Sequence, residues 1–398
     1  MRAVAPCAAM PATDRWHGID ALRAVVVLLG IALHGAVPYL TVPLQSLPWP
    51  VPVTATSDLL NRFFWWFHGF QIPLFFLLAG FFAAHTVAAR GADGFLRHRQ
   101  RRLLRPLIVG GAVLLPLTFA VFATGWWLNG DCSWNEIRRM KFAPPLQAEI
   151  YGPAHLWFLE YLAIYCAFFW LWCRARRAGL AQVQGGPWTL LGLILPTALL
   201  LFLAPQVYTA HHNAFLPSLP VFLHHGLFFV AGTWLFARRD MLAGSAFGGW
   251  MCLGLALPLF TAVEVFLDRG PRDPFDSTAR WQFAVALAAF IWLTVMGLAT
   301  VAASRSARGS ARLAYVSAAS YWLYLIHLPV LGAWQILLAP LSAPPMLAFA
   351  IAVSATTVIG LWSYELGVRD RWLGALFDGG APATPPESRL AGAASIHR

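Results

Sequence analysis

Ten stretches of the chain are almost purely apolar, with short polar segments between them. They run at roughly 21–41, 62–89, 104–128, 155–173, 188–208, 217–237, 246–267, 281–303, 313–338 and 345–365. Each is close to the ~20 residues a helix needs to cross the hydrocarbon of a bilayer. In lipid the backbone polar groups must be satisfied within the segment, so the runs predict helices rather than open strands. They also lack the short alternating pattern of a membrane barrel. Prolines within several runs (Pro73, Pro106, Pro116, Pro196 and Pro258) are tolerable in membranes and mark candidate kinks. The expected fold is all-α, a polytopic integral membrane protein with about ten transmembrane helices. Residues 1–14 are expected to form a cytoplasmic tail and 15–375 the ten-helix domain. Residues 376–398, rich in Gly, Ala, Pro and Ser, read as a disordered cytoplasmic extension. The first 14 residues lack an apolar core preceded by positive charge, so the first run is expected to insert and stay.

Composition strengthens this picture. Of 398 residues, 59% are hydrophobic and 11% charged, whereas soluble proteins carry about 25% charged residues. A soluble enzyme, a secreted disulfide scaffold and a disordered protein are excluded. The five cysteines (Cys7, Cys132, Cys166, Cys173, Cys252) show no metal-ligand spacing, so neither a disulfide framework nor a metal site is expected.

The net charge of +11 could point to nucleic acid, but the basic residues cluster between the apolar runs. With the amino terminus in the cytoplasm, the internal connectors hold fourteen arginines, from Arg90 to Arg312. The external ones hold seven basic residues: Arg62, Arg138, Arg139, Lys141, Arg269, Arg272 and Arg280. The positive-inside rule then places both termini in the cytoplasm, in a bacterial inner membrane. Topology and anionic inner-leaflet lipid account for the basicity, and no nucleic-acid partner is expected.

Ionisable groups inside a span are costly, which makes each a functional candidate. The sharpest set is Asp20, Arg23 and His34 on the first run. Eleven residues separate Arg23 from His34, which is about 20° from full turns, so both share one helical face about 16 Å apart. Asp20, three residues before Arg23, can pair with it on that face. The plainer reading is that Asp20 and Arg23 snorkel to the interface while His34 packs against another helix.

These residues carry a resemblance. Arg15-Trp-His-Gly-Ile-Asp20-Ala-Leu-Arg23, followed by Leu28-Leu-Gly-Ile and His34, resembles the opening of the membrane acyltransferase-3 family. Within it the likeness is to the glucan biosynthesis protein C branch, associated with succinyl groups on periplasmic glucans. It continues through Phe75-Phe-Leu-Leu-Ala-Gly80, Arg102-Leu-Leu-Arg105-Pro106 and His155-Leu-Trp-Phe-Leu159. Ser320-Tyr-Trp-Leu-Tyr-Leu-Ile-His327, Ser363-Tyr-Glu365-Leu and Arg371-Trp-Leu complete the order, over about residues 15–375. Where the sugar-O-acetylating branches often carry Trp-Ser-Leu and then a glutamate, this chain has His155-Leu-Trp-Phe-Leu-Glu160.

The arginines between the second and third runs include the spacings Arg99/Arg102 and Arg102/Arg105. On a continuous helix such residues share a face and can fork onto phosphate oxygens. Coenzyme A carries a 3′-phosphate and a pyrophosphate, so this face is the candidate donor site; ordinary positive-inside anchoring is the alternative. Ser320, Tyr324 and His327 match the family's late motif. With His155, Trp157 and Glu160 they are the acceptor or auxiliary candidates. His68, His224, His225, Glu264 and Glu365 are further polar residues in or near the runs. The adjacent His224 and His225 point about 100° apart and make a poor metal site.

The resemblance and the intramembrane stripe together imply a membrane-bound acyltransferase without a resident cofactor. It would move a succinyl or acetyl group from cytoplasmic acyl-coenzyme A to a hydroxyl of a periplasmic or envelope glycan. His34 would be the general base, with Arg23, paired to Asp20 on the same face, holding the donor together with Arg102 and Arg105; a histidine titrates near pH 6.5 where a base is useful. The rivals are a non-catalytic transporter of a glycan or acyl carrier, and a scaffold for a glucan synthase. No inverted repeat of the transporter kind is evident. The charge count makes the orientation testable. In a cysteine-free background, a cysteine replacing Met140 should be labelled from outside and one replacing His98 should not. The reverse pattern would exchange the donor and acceptor sides.

Overall fold

The computed structural model describes residues 17–176, 188–239, 246–269, 277–304 and 311–371, together with 242 and 373–374. The two expected tails, 1–14 and 376–398, lie outside the described residues, as do Arg177, Arg272, Arg305 and Arg308 of the connectors. The chain folds as thirteen α-helices among the described residues. Ten of them correspond to the ten apolar runs: α1 (His17–Ala36), α2 (Asp58–Arg99), α3 (Arg105–Asn129), α6 (Trp157–Arg176), α7 (Trp188–Leu203), α9 (Leu219–Ala237), α10 (Ala246–Asp268), α11 (Ser277–Ser304), α12 (Ala311–Leu338) and α13 (Pro345–Ser363). The others are short: α4 (Trp134–Arg139), α5 (Pro144–Glu149) and α8 (Gln206–Thr209). No strand forms among the described residues; one isolated bridge joins Gln45 and Ala210.

Eight stretches are long and apolar enough to cross a membrane, among the described residues. One of them, Asp58–Asn129, runs for 72 residues and holds two of the expected spans. It is broken at Gly91, whose φ of 69° suits a residue without a Cβ. A turn of π-helix at Gln100–Leu104 then leads into α3. α7 is a shorter apolar helix, ending just before Pro205, which has no N–H to continue it. Large apolar side chains such as Ile108, Leu195, Val230, Phe247 and Trp362 are exposed on the outer surface, as lipid contact requires.

α11 lies at the centre, with Phe290, Ile291 and Trp292 all buried. Trp292 stacks on Phe228 of α9 and donates to Thr197 Oγ1 of α7 at 2.9 Å. α1 packs against α2, α11, α12 and α13. Where it passes α2, Gln71 Nε2 donates to the Val26 carbonyl at 3.3 Å. α2 and α9 meet through Gly80 and Gly232, where a Cβ would overlap the carbonyls of Phe229 and Leu77 respectively. Small residues at such a contact let two backbones approach in lipid, where close packing replaces the hydrophobic drive. Gly232→Val should therefore destabilise the protein by about 1–3 kcal/mol. Gly248→Val, at a position with nothing within 4 Å, should not. Thermal melting of both purified variants in detergent checks this.

Candidate active site

One cavity of about 1090 Å³ runs through the helix bundle. At one mouth it is lined by Asp20, Arg23, Arg99 and Arg102. At the other it is lined by Met140, Tyr151, His212 and Phe215, from the connectors at the far ends of the helices. His34 lies between, on the same α1 face as Arg23. Nine of the chain's twelve histidines line this cavity, while Asp20 is the one carboxylate among its described lining residues. Its wall is thus rich in imidazole, with its charged groups, Asp20, Arg23, Arg99 and Arg102, gathered at one end.

The basic mouth is held together by α1 and α12. Arg23 pairs with Asp20 at 3.4 Å and donates to Ser317 Oγ at 3.1 Å. Arg99 and Arg102 reach the same mouth from beyond the Gly91 break. Arg105, three residues on, is exposed and does not line the cavity. The π turn at Gln100–Leu104 takes it out of the row that a continuous α-helix would have made.

Around His34 the cavity wall is imidazole and aromatic. The His34 ring stacks on Trp49, with centroids 5.9 Å apart and planes 5° apart. Trp49 comes from the connector after α1, which folds back over the site. Its Nε1 donates to Gln335 Oε1 at 2.9 Å, and Gln335 Nε2 donates to the Gly35 carbonyl at 3.2 Å. Trp126 and Asn129 of α3 hold the same connector through the carbonyls of Trp49 and Pro50. On the other side of His34 stands His327 of α12, at 5.3 Å between centroids, and then His155, a further 5.2 Å on. His327 Nδ1 lies 2.7 Å from the Tyr324 carbonyl and His155 Nε2 lies 2.8 Å from that of Leu325. Tyr324 in turn donates its hydroxyl to the His155 carbonyl at 2.6 Å. Ser320 Oγ donates to the Ser317 carbonyl at 2.8 Å.

Residues more than 300 positions apart in the chain thus converge: Asp20, Arg23, His34, Arg99, Arg102, His155, Trp157, Ser320, Tyr324 and His327 all line the cavity. Glu160 does not; its Oε2 is buried with no hydrogen-bond partner among the described residues. Glu264 and Glu365 serve ion pairs instead, with Arg62 at 3.2 Å and Arg369 at 2.9 Å. His68, His224 and His225 also line the cavity, where His68 Nε2 meets the Tyr208 carbonyl at 2.9 Å and the His224 and His225 rings lie 5.0 Å apart. Among the described residues no group of three or more His, Cys, Asp or Glu side chains is placed to hold a metal ion.

Sequence reasoning missed Trp49, Ser317, Gln335 and the His211–Asn213 segment. The connector after α8 is tied to that after α1 through His211 N, which donates to the Gln45 carbonyl at 2.8 Å. Asn213 Oδ1 accepts from Ala154 N at 2.9 Å, just before His155. Burial pushes the His211 imidazole down to about 4, with His212 and His68 adding repulsion. The one local signal for Trp49 was a tryptophan between two prolines, Pro48 and Pro50, which says turn but not what it covers.

Comparison with known proteins bears on this geometry. The chain is 25% identical over 401 residues to the Glucans biosynthesis protein C of Salmonella typhi, covering 95% of this chain and 98% of that protein. It is 24% identical to the protein of the same name from Salmonella paratyphi B, with the same coverage. No solved structure matches. The match to the family description, an acyltransferase domain, extends over residues 16–365 and so takes in every element that lines the cavity. This multi-pass membrane chain is an acyltransferase and belongs to the acyltransferase-3 family.

Proposed function

We propose that the cavity carries an acyl group across the membrane, from acyl-coenzyme A in the cytoplasm to a hydroxyl of a periplasmic glucan. The observation that carries this reading is the meeting of Arg23, Arg99, Arg102 and His34, from separate parts of the chain, in one cavity that extends from Asp20 to the connectors at Tyr151 and His212. Both termini lie in the cytoplasm of a bacterial cell and the membrane is the inner one, in keeping with the excess of arginine at the basic mouth. The printed name of the Salmonella relatives supports a glucan as acceptor. The acyl group is succinyl or acetyl, and no resident cofactor is needed.

The chemistry follows from the layout. Guanidinium groups fork onto phosphate oxygens, so Arg99 and Arg102 hold the donor's phosphates at the basic mouth. Arg23, anchored by Asp20 and Ser317, lies between them and the reacting centre. The thioester reaches His34 from this side. The acceptor hydroxyl enters from the other mouth, past Tyr151 and His212, where Trp157 is available to a sugar ring. His34 takes the hydroxyl proton as oxygen attacks the thioester carbonyl. The C–O bond forms, the C–S bond breaks, and the proton passes to the leaving sulfur. Trp49 covers the ring of His34 and keeps water from competing as acceptor.

Two outcomes test this. His34→Gln should reduce transfer from acyl-coenzyme A to glucan by about 10²–10⁴-fold, with the protein present in the membrane at normal levels. Undiminished transfer would return His34 to a packing role. For the donor site, Arg102→Glu should weaken acyl-coenzyme A binding and Arg102→Lys should restore it only in part, because lysine lacks the bidentate fork. Arg105→Glu, outside the cavity, should leave donor affinity near that of the native protein. Calorimetric titration of the purified variants separates these cases, and equal effects at 102 and 105 would mean general electrostatic attraction.

A further inference from the structure

The row His34–His327–His155 has hydrogen-bond partners that decide which nitrogens carry protons. A backbone carbonyl only accepts, so a ring nitrogen within hydrogen-bonding distance of one must be an N–H. His327 Nδ1, at 2.7 Å from the Tyr324 carbonyl, is therefore protonated. In the neutral ring its Nε2 is left as a bare lone pair. His155 is locked in the opposite sense: Nε2 donates to the Leu325 carbonyl at 2.8 Å, and Nδ1 is the bare nitrogen. That His155 Nδ1 is buried with no partner among the described residues. Two neighbouring rings, with centroids 5.2 Å apart, thus each keep one bare acceptor nitrogen, and neither can donate to the other. A hydrogen bond to His327 Nε2 has to come from a third group.

His34 is placed to be that group. Its ring centroid is 5.3 Å from that of His327, with planes 35° apart, a separation at which facing ring edges come within hydrogen-bonding reach. The stack on Trp49 holds the plane of the ring. His34 Nδ1 is buried with no hydrogen-bond partner among the described residues, so the His34 tautomer is not set by a carbonyl as those of His327 and His155 are. A general base needs its lone pair aimed at the substrate and its N–H aimed elsewhere. The tautomer of a histidine follows from the bond made by its other nitrogen.

We propose that His327 is the positioning residue for His34: in the reacting state its Nε2 accepts the His34 N–H, so that the other nitrogen of His34 faces the acceptor hydroxyl as a lone pair. This rests on the acyl-transfer reading above and assigns the residue that makes His34 competent. In the transfer step the hydroxyl proton goes to the free nitrogen of His34, which becomes an imidazolium with two N–H groups, one still bonded to His327 Nε2. As the C–S bond breaks, that proton moves to the departing sulfur and neutral His34 is restored. His327 gains and loses no proton over the cycle. Its own Nδ1–H stays on the Tyr324 carbonyl, which keeps the accepting edge turned toward α1. The Tyr324 hydroxyl bond to the His155 carbonyl, at 2.6 Å, fixes the neighbouring segment that closes the row.

The test is steady-state acyl transfer from acetyl- or succinyl-coenzyme A to glucan by the full chain in lipid nanodiscs. His327→Leu removes the acceptor and His327→Gln keeps one in its amide carbonyl. We expect kcat to fall about 10–100-fold in His327→Leu, the scale for losing a partner that orients a reacting group. The KM for the donor should be unchanged, and His327→Gln should recover much of kcat. Loss of folding alone would lower both variants together and would be seen in their melting curves. Equal activity of the leucine and glutamine variants, whether both native-like or both impaired, overturns the proposal. Its failure is distinct from failure of the underlying reading. If the native protein transfers and His34→Gln does not, while His327→Leu keeps its kcat, only the positioning role falls. If the native protein transfers nothing, both fall.

Discussion

Lipid offers no hydrogen-bond partners, and the rest of the structure follows from that constraint. Every backbone group in a span must be satisfied within its helix, and every polar side chain must turn inward or pair. Some inward-turning groups make separate helix–helix contacts, as Trp292 does with Thr197, but the imidazole groups and the arginines of the basic mouth do not scatter. They converge on one cavity, lined by nine histidines and by Arg23, Arg99 and Arg102. The outer surface is left to exposed side chains such as Ile108, Phe247 and Trp362. The same exclusion of water makes hydrogen bonds to helix carbonyls valuable, and those bonds set the orientation of His155 and His327.

α1 is the helix on which the site depends. It carries Asp20, Arg23 and His34 along one face and contacts α2, α11, α12 and α13. Its Gly30 leaves room for Gln71 of α2, whose amide donates to the Val26 carbonyl. Ser317 and His327, one near each end of its polar face, come from α12. A shift of α12 against α1 would therefore change the arginine mouth and the imidazole row together. The connectors add a second layer, since Trp49, Trp126 and Gln335 lock a loop over His34.

Much of this was legible in the sequence. Long apolar runs are a direct readout of bilayer thickness, so all ten helices were expected, and the periodicity of α1 was enough to align Arg23 with His34. What escaped was local bending and long-range assembly. Gly91 gave no sign that it would break a helix, and the π turn after it put Arg105 outside a row that continuous α-helical spacing would have included. Trp49 lies in a loop whose position is set by partners at Trp126 and Gln335, far along the chain, and no local pattern encodes that. The adjacent His224 and His225 diverge on their helix and were read only as a poor metal site, yet both line the cavity. Glu160 went the other way: a carboxylate within a recognisable motif, but outside the cavity wall.

In the proposed reaction one cavity holds the donor with its phosphates at the arginine mouth and its acyl carbon at His34. Cryo-electron microscopy of the protein in nanodiscs, bound to a non-cleavable thioether analogue of acyl-coenzyme A, tests this most directly. The phosphates should lie at Arg99 and Arg102, with the acyl carbonyl carbon within about 3.5 Å of where an oxygen held by His34 would stand. Phosphate density at the opposite mouth, beside Tyr151 and His212, or an acyl chain that stops short of His34, would contradict it.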